Sequence, residues 1–502
     1  MRRVLAAILG LGVVLAPAAE AARLRWATLS PAITFGAPFA RDEGGALRWA
    51  FYDSLTIVTG KGELKPALAE SWALENPTTW VLKLKSGVAF SNGELFDAAA
   101  AAAAINALID PVQRFPRALD VPGIAGARAR DVVTLEVTTQ KPDPILMRRL
   151  SMVPIPAPKA WAETGPEAFA KNPIGTGPFR IVEWGAAGHK LTMVPTSWRK
   201  SRQLTDIETR IITDATARVK ALMSDRVDIA SGLGPDDIEP VTAAGYAVRV
   251  MPVMSVLSIA YRTVREDDNA PLKNVRVRQA LNYAVDKESI VSQITAGTTR
   301  VANQGTVPGV PGFNPDLPPY PYDPAKAKAM LAEAGYPDGF KLVIAVYSGL
   351  LPNDTTIFQK VAQDLAAVGV RVELRSMTFP DYARRLFNGD WDGIDAFSNG
   401  WLSIGVGDPI RAVDQFSCAY SAPFFCEPSM MPLIDATRSE MDPAKRTRMM
   451  QEVMAEFNRL GVALWLVEFS QIAGLSPRVV NFQTRSDGIG IEFETLELAP
   501  KP

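Results

Sequence analysis

Apolar and polar residues alternate with period two over some short stretches of the chain and with helical spacing over others, and the two patterns take turns along it. Period-two alternation predicts strands at 23–29, 80–84, 132–138, 207–212, 227–230, 342–347 and 370–374. Residues 180–184 and 190–194 flank a glycine-rich stretch and predict a hairpin. Helical spacing predicts helices at 97–108, 215–224, 275–290, 324–334, 357–368 and 443–460. In 275–290 the apolar positions are Val277, Ala280, Leu281, Ala284 and Val285, so Arg278 and Lys287 are expected on a solvated face. Asp97 is an expected N-cap before a run of alanines, which are good helix formers. Asp323 caps the next clear case, with Pro324 at its first position and Gly335 closing it. The proline-rich residues 306–322 carry few helix or strand signals and are expected as an ordered surface loop. Strands alternating with helices argue for mixed α/β structure, and the length calls for two or three domains.

The first 21 residues break this alternation. Arg2 and Arg3 precede an apolar run from Val4 to Leu15, and Ala19-Glu20-Ala21 has the small-x-small form of a cleavage site. This is the layout of a secretory signal peptide, with cleavage expected after Ala21 and periplasmic localisation. A buried core helix is the alternative. No cysteine follows the site, so no lipid anchor is expected there. No later stretch approaches the roughly 18 uninterrupted apolar residues of a membrane span.

Composition narrows the chemistry. The 53 basic and 54 acidic residues balance, which gives no basic surface for nucleic acid. His189 is the only histidine and lies in a glycine-rich stretch, where a structural or surface role is expected. With one histidine and two cysteines, clustered zinc, copper or haem ligation is poorly supplied, and no cofactor is implied. A Ser-His-Asp or Cys-His mechanism would rest on that single imidazole, and no G-x-S-x-G motif is present. In an exported protein the closely spaced Cys418 and Cys426 read as a disulfide.

Several short motifs occur in a fixed order: LKPALAESW at 64–72, WVLKLKSGVAFSNGELF at 80–96, NPIGTGPF at 172–179, VRQALNYAVDK at 277–287 and YDPAKAKAMLAEAGYPDGF at 322–340. In this order they resemble the extracytoplasmic solute-binding proteins of the dipeptide, oligopeptide and nickel ABC-importer family. That resemblance spans essentially the whole mature chain. It implies a two-lobed, three-domain α/β fold of the periplasmic binding protein type, class II and like the peptide-binding proteins. One lobe would comprise 22–55, 175–265 and 475–502. A small domain, 56–174, would pack on it, and 266–474 would form the other lobe. Solute would be trapped between the lobes by hinge closure and delivered to permease subunits, with no catalysis and with a monomer sufficient. A sensor or chaperone on the same fold, and an exported hydrolase, are the alternatives. Within 172–179, Gly175 and Gly177 followed by Pro178 predict a tight turn with close backbone approach.

The resemblance also selects site residues. Peptide-binding members line the cleft with a segment running from a tryptophan to Asp-Pro, with an interior aspartate that pairs with the peptide ammonium. Here the segment is GWLSIGVGDP at 400–409, and the interior position falls on Ile404 or Gly405. An apolar residue cannot neutralise a buried ammonium, so binding of a free peptide N-terminus is not expected. Trp401 is a candidate stacking surface or a core residue. Asp408 is a candidate anion or a turn former. Tyr382, Arg384 and Arg385, with Arg148 and Arg149, are candidate contacts, since an arginine fork suits a carboxylate or phosphate; for each arginine a solvated surface is the other reading. Phe35 and Phe39 either line the cleft or belong to a core. A modified peptide, an opine-like compound, a glycoside or another small polar organic molecule is the expected solute class.

Overall fold

The computed structural model describes residues 22–29, 36–40, 47–266, 269–349, 351–485 and 490–500. The expected signal sequence, its cleavage site and Phe35 lie outside the described residues.

Ten strands form one mixed sheet. Its order is Arg371–Ser376, Lys341–Val346, Ala396–Leu402, Ala247–Tyr261, Ala463–Leu475, Ile229–Ser231, Ala22–Thr28, Leu204–Ile211, Gly188–Met193 and Phe179–Gly185. Each half has a parallel centre: Lys341–Val346 pairs parallel with both neighbours, and so does Ala22–Thr28. The two long antiparallel strands Ala247–Tyr261 and Ala463–Leu475 join the halves. Their register runs from Ala247 opposite Leu475 to Pro252 opposite Ser470, then shifts before Val256 opposite Glu468. A bulge of this kind bends a strand and raises its local twist. Here it separates a half built on Trp26, Leu24 and Phe179 from one built on Trp401, Trp465 and Phe397.

A second, antiparallel sheet has the order Ala69–Asn76, Thr79–Leu84, Thr134–Thr139 and Ile124–Asp131. The alanine helix Ala98–Ile109 covers it, burying Ala98, Ala101, Ala104, Ile105 and Leu108. Its small side chains let the helix backbone approach the strands. The Asp97 carboxylate accepts from the Ala100 N–H at 2.8 Å, the expected cap. Asp323 caps Pro324–Glu333 in the same way, through Lys326 N–H. Residues 306–322 form a loop without helix or strand.

The expected helix 275–290 is broken. Helix Val275–Ala284 ends at Val285, which is extended, and a new turn Lys287–Ser289 is capped by Asp286 and followed by a π-turn, Ile290–Ile294. The Asp286 carboxylate accepts the Ser289 N–H at 3.0 Å, and an aspartate that caps a new turn in this way favours the break. The expectation of a solvated Arg278 and Lys287 is also corrected. Arg278 is buried and donates to the carbonyls of Leu460, Gly461, Leu272 and Lys273. Lys287 is buried with its Nζ on the Asn282 carbonyl at 2.6 Å. Both side chains tie off carbonyls near helix ends, where a cation is favoured.

The turn at 175–177 meets the helix Arg48–Phe51. A β-carbon on Gly175 would lie 2.2 Å from the Phe51 carbonyl oxygen, and one on Gly177 would lie 2.4 Å from that of Ala50. Thr176 between them donates to Asp53 at 2.8 Å. His189 lies on the hairpin strand Gly188–Met193, buried edge-on to Trp184 at 4.9 Å between ring centres. Cys418 and Cys426 are joined in a disulfide. Among the described residues no helix is long and apolar enough to cross a membrane.

Candidate functional site between the lobes

In open α/β sheets, ligands bind outside the carboxyl ends of parallel strands. In the second half of the sheet those ends lead into Tyr347, Met377 and the segment 403–409. That segment leaves strand Ala396–Leu402 with the Ser403 N–H on the Met254 carbonyl at 2.9 Å, and it then turns back against residues 148–152. Gly405 and Gly407 take the left-handed conformation, at φ of +81° and +62°. A β-carbon on Gly405 would strike the Met152 thioether, and one on Gly407 would fall 2.8 Å from Val58 and 2.9 Å from the Arg148 guanidinium. Only glycine fits both the backbone and the space at these positions.

Hydrogen bonds complete the contact. Ser151 Oγ donates to the Gly405 carbonyl at 3.1 Å. Arg148 Nη1 donates to the carbonyls of Gly407 at 3.2 Å and Gly62 at 3.0 Å. Arg411, on the helix Ile410–Gln415, pairs with Asp120 of the small domain at 3.6 Å.

Asp408 is fully buried. Arg446 grips it with both Nη groups, at 2.5 and 3.0 Å, and the Ile410 N–H donates to it at 3.0 Å. Burial opposes its charge, yet Arg446 and the Ile410 N–H hold the carboxyl below its ordinary value. Its geometry is that of a turn former bound to an arginine. Arg149 reaches Asp143 at 2.9 Å in the same junction. Ile404 is half-buried within the segment.

The other candidates lie farther from this contact. Trp401 has no exposed surface: its ring stacks on Phe416 at 3.8 Å and meets Trp465 at 4.8 Å, while its N–H donates to Ser258 at 3.1 Å. Gly305 lies flat against it, since a β-carbon there would fall 2.0 Å from the indole. Tyr382 is buried on the helix Phe379–Asn388, and its hydroxyl donates to Asn399 at 2.6 Å; burial pushes the phenol well above its usual range. Arg385 donates to the Asp390 carbonyl at 2.7 Å and Arg384 pairs with Asp390 at 3.1 Å, so both close their own helix end. Phe39 packs among Phe115 and Trp161. The structure therefore gathers Ile404, Asp408, Arg148 and Arg149, and places Trp401 behind them.

Sequence reasoning missed Ser151, Met152, Asp120, Arg411 and Arg446. None of these carries a spacing or motif signal, because the contacts of Ser151, Met152 and Arg446 with the segment, and that of Arg411 with Asp120, each join residues far apart in sequence. His189, the sole imidazole, has no side-chain partner on either ring nitrogen. Burial lowers its basicity. Among the described residues no nucleophile is bonded to it.

Residues 63–422, well over half the chain, match the profile described as "Bacterial extracellular solute-binding proteins, family 5 Middle". The chain is 28% identical over 384 residues to the heme-binding protein A of Haemophilus influenzae, covering 69% of this chain and 70% of that one. It is 26% identical over 472 residues to the glutathione-binding protein of Escherichia coli, covering 90% of each. Its fold matches the crystal structure of NikA from Brucella suis in complex with Fe(III)-EDTA with a TM-score of 0.82, at 23% identity over 95% of this chain and 100% of that one.

Proposed function

The chain belongs to family 5 of the bacterial extracellular solute-binding proteins, and on that premise we propose that it captures a peptide-like or other small polar organic solute between its lobes and hands it to the permease of an ABC importer. The observation that carries this reading is the single pair of long strands linking the sheet halves, with their register shift at 252–256 opposite 468–470. Two strands that bend at one level form a hinge. On this reading the lobes divide at that bulge, a little inside the boundaries expected at 265 and 475, and 56–174 is the small domain that meets the other lobe at 403–411.

The solute is held and released unchanged, so affinity comes from closure. A free ammonium is not what the 403–408 segment recognises, because Ile404 and Gly405 carry no charge and Asp408 is committed to Arg446. Relatives that bind heme and glutathione are consistent with a solute class broader than free peptides. The protein works as a monomer in the periplasm after removal of residues 1–21.

A thermal-shift screen of dipeptides, N-blocked peptides, opines, oligosaccharides and metal chelates tests the reading. A solute at 100 times its dissociation constant adds about 2.7 kcal/mol of stability. A shift with free dipeptides alone would overturn the argument from Ile404 and Gly405. Turnover of any solute by the purified protein would overturn the binding role.

A further inference from the structure

The junction between the small domain and the segment 403–411 is rich in arginine, and all but one of these side chains has a carboxylate. Arg446 holds Asp408, Arg149 holds Asp143, and Arg117 and Arg411 share Asp120. Behind them Arg438 holds Asp414. Among the described arginines of this junction, Arg148 is the exception. Its only partners are two carbonyl oxygens, both on Nη1, which leaves Nε and Nη2 free. The carboxylate whose charge acts on it, Asp408, already gives its oxygens to Arg446 and to the Ile410 N–H. Burial presses the Arg148 guanidinium below its ordinary basicity, with Asp408 opposing and Arg446 adding to the effect.

A half-buried guanidinium without a counter-ion is costly, and the cost falls when an anion joins it. Arg148 bridges Gly62 of the small domain and Gly407 of the other lobe, so its free edge lies where the lobes meet. Its planar fork matches a carboxylate or phosphate in two-point contact. We propose that Arg148 is the anion-binding residue of the interlobe site and that the solute carries an oxyanion, carboxylate or phosphate, received there on closure. This deepens the solute-binding reading and rests on it. The solute then supplies the missing negative charge, which couples its arrival to the contact that holds the segment 403–408 in place.

The test uses the full mature protein and four probes in matched pairs: N-acetyl-dialanine with its methyl ester, and glucose 6-phosphate with glucose. Calorimetric titration and thermal shift are read on wild type, Arg148→Gln and Arg148→Lys. Glutamine keeps donors for the Gly62 and Gly407 carbonyls and removes the charge; lysine keeps the charge. The expected result is binding of an anionic probe at least tenfold tighter than its neutral partner. Arg148→Gln abolishes that preference and Arg148→Lys restores part of it. Which anion wins distinguishes a carboxylate from a phosphate solute. Equal binding of charged and neutral partners, or a preference unchanged in Arg148→Gln, overturns the assignment of Arg148 while leaving solute capture standing. No binding by any probe overturns the anion assignment. Should the broader solute screen also give no shift, the capture reading falls with it.

Discussion

Gly405 approaches Met152 so closely that a β-carbon on it would lie 2.2 Å from the thioether sulfur. This contact joins the turn after helix Leu146–Leu150 to the segment that follows Trp401. It leaves no room for a side chain at Gly405, one of the two positions on which the resemblance would place an interior aspartate.

Gly405→Ala is therefore expected to weaken closure more than it weakens folding. The left-handed backbone alone costs a non-glycine residue about 1–2 kcal/mol, and the clash adds to it. Met152→Ala on the same background should recover the packing share of the loss and none of the backbone share. Affinity for a stabilising solute, measured by calorimetry on the single and double variants, checks this; identical affinities in all three proteins would refute it.

The Asp408–Arg446 pair is buried on both sides, so removing one partner strands the other. Asp408→Asn should cost about 3 kcal/mol in urea unfolding and Arg446→Met a similar amount. The double variant should cost less than the two singles combined, because it strands neither charge. Strict additivity would show that the pair does not act as one unit.

Lys287 has an amine that burial lowers from 10.5 to about 7. Between those values the unfolded chain holds a proton that the folded chain lacks, so this group makes stability rise with pH across that window. Lys287→Met should be more stable than wild type near pH 7, by roughly 1–3 kcal/mol, and should lose that rise. Chemical denaturation of both proteins from pH 6 to pH 10 reads the difference in slope.

His189 gives a second titration, of the same sense and lower range. Burial depresses its pKa below 6.5, so the unfolded chain takes up the proton first as the pH falls. Its contribution is present above 6.5 and is lost as the pH drops toward the folded value. Because the chain has one histidine, its ring proton signals in an NMR titration identify it without assignment. A midpoint at or above 6.5 would contradict its burial against Trp184.

Local patterns made much of the fold legible. Asp97 and Asp323 cap the helices they precede because the signal and the structure both lie within one turn. The hairpin around 185–188 is equally local. The break at Val285 was not legible, since helical spacing continues across it while Asp286 caps a new turn. Arg278 looks like a surface charge until the distant carbonyls of Leu460 and Gly461 are brought against it, and Lys287 until the helix break turns its amine onto the Asn282 carbonyl. The site divides in the same way. Segment 400–409 is visible as a motif, whereas its partners Ser151, Met152 and Arg148 lie far earlier in the chain and Arg446 comes from a distant helix. For Trp401 the sequence leaves a stacking surface and a core residue both open, because what buries it, Gly305, Phe416 and Trp465, is scattered along the chain.

The central claim is that the lobes close on a solute about the bulge at 252–256 and 468–470. The most direct measurement is the distance between spin labels at two exposed sites, Val182 on strand Phe179–Gly185 and Lys328 on helix Pro324–Glu333, with and without a solute that stabilises the protein. The account predicts a broad distribution that shortens and narrows on binding, with the solute recovered chemically intact. An unchanged distribution at saturating solute would contradict it.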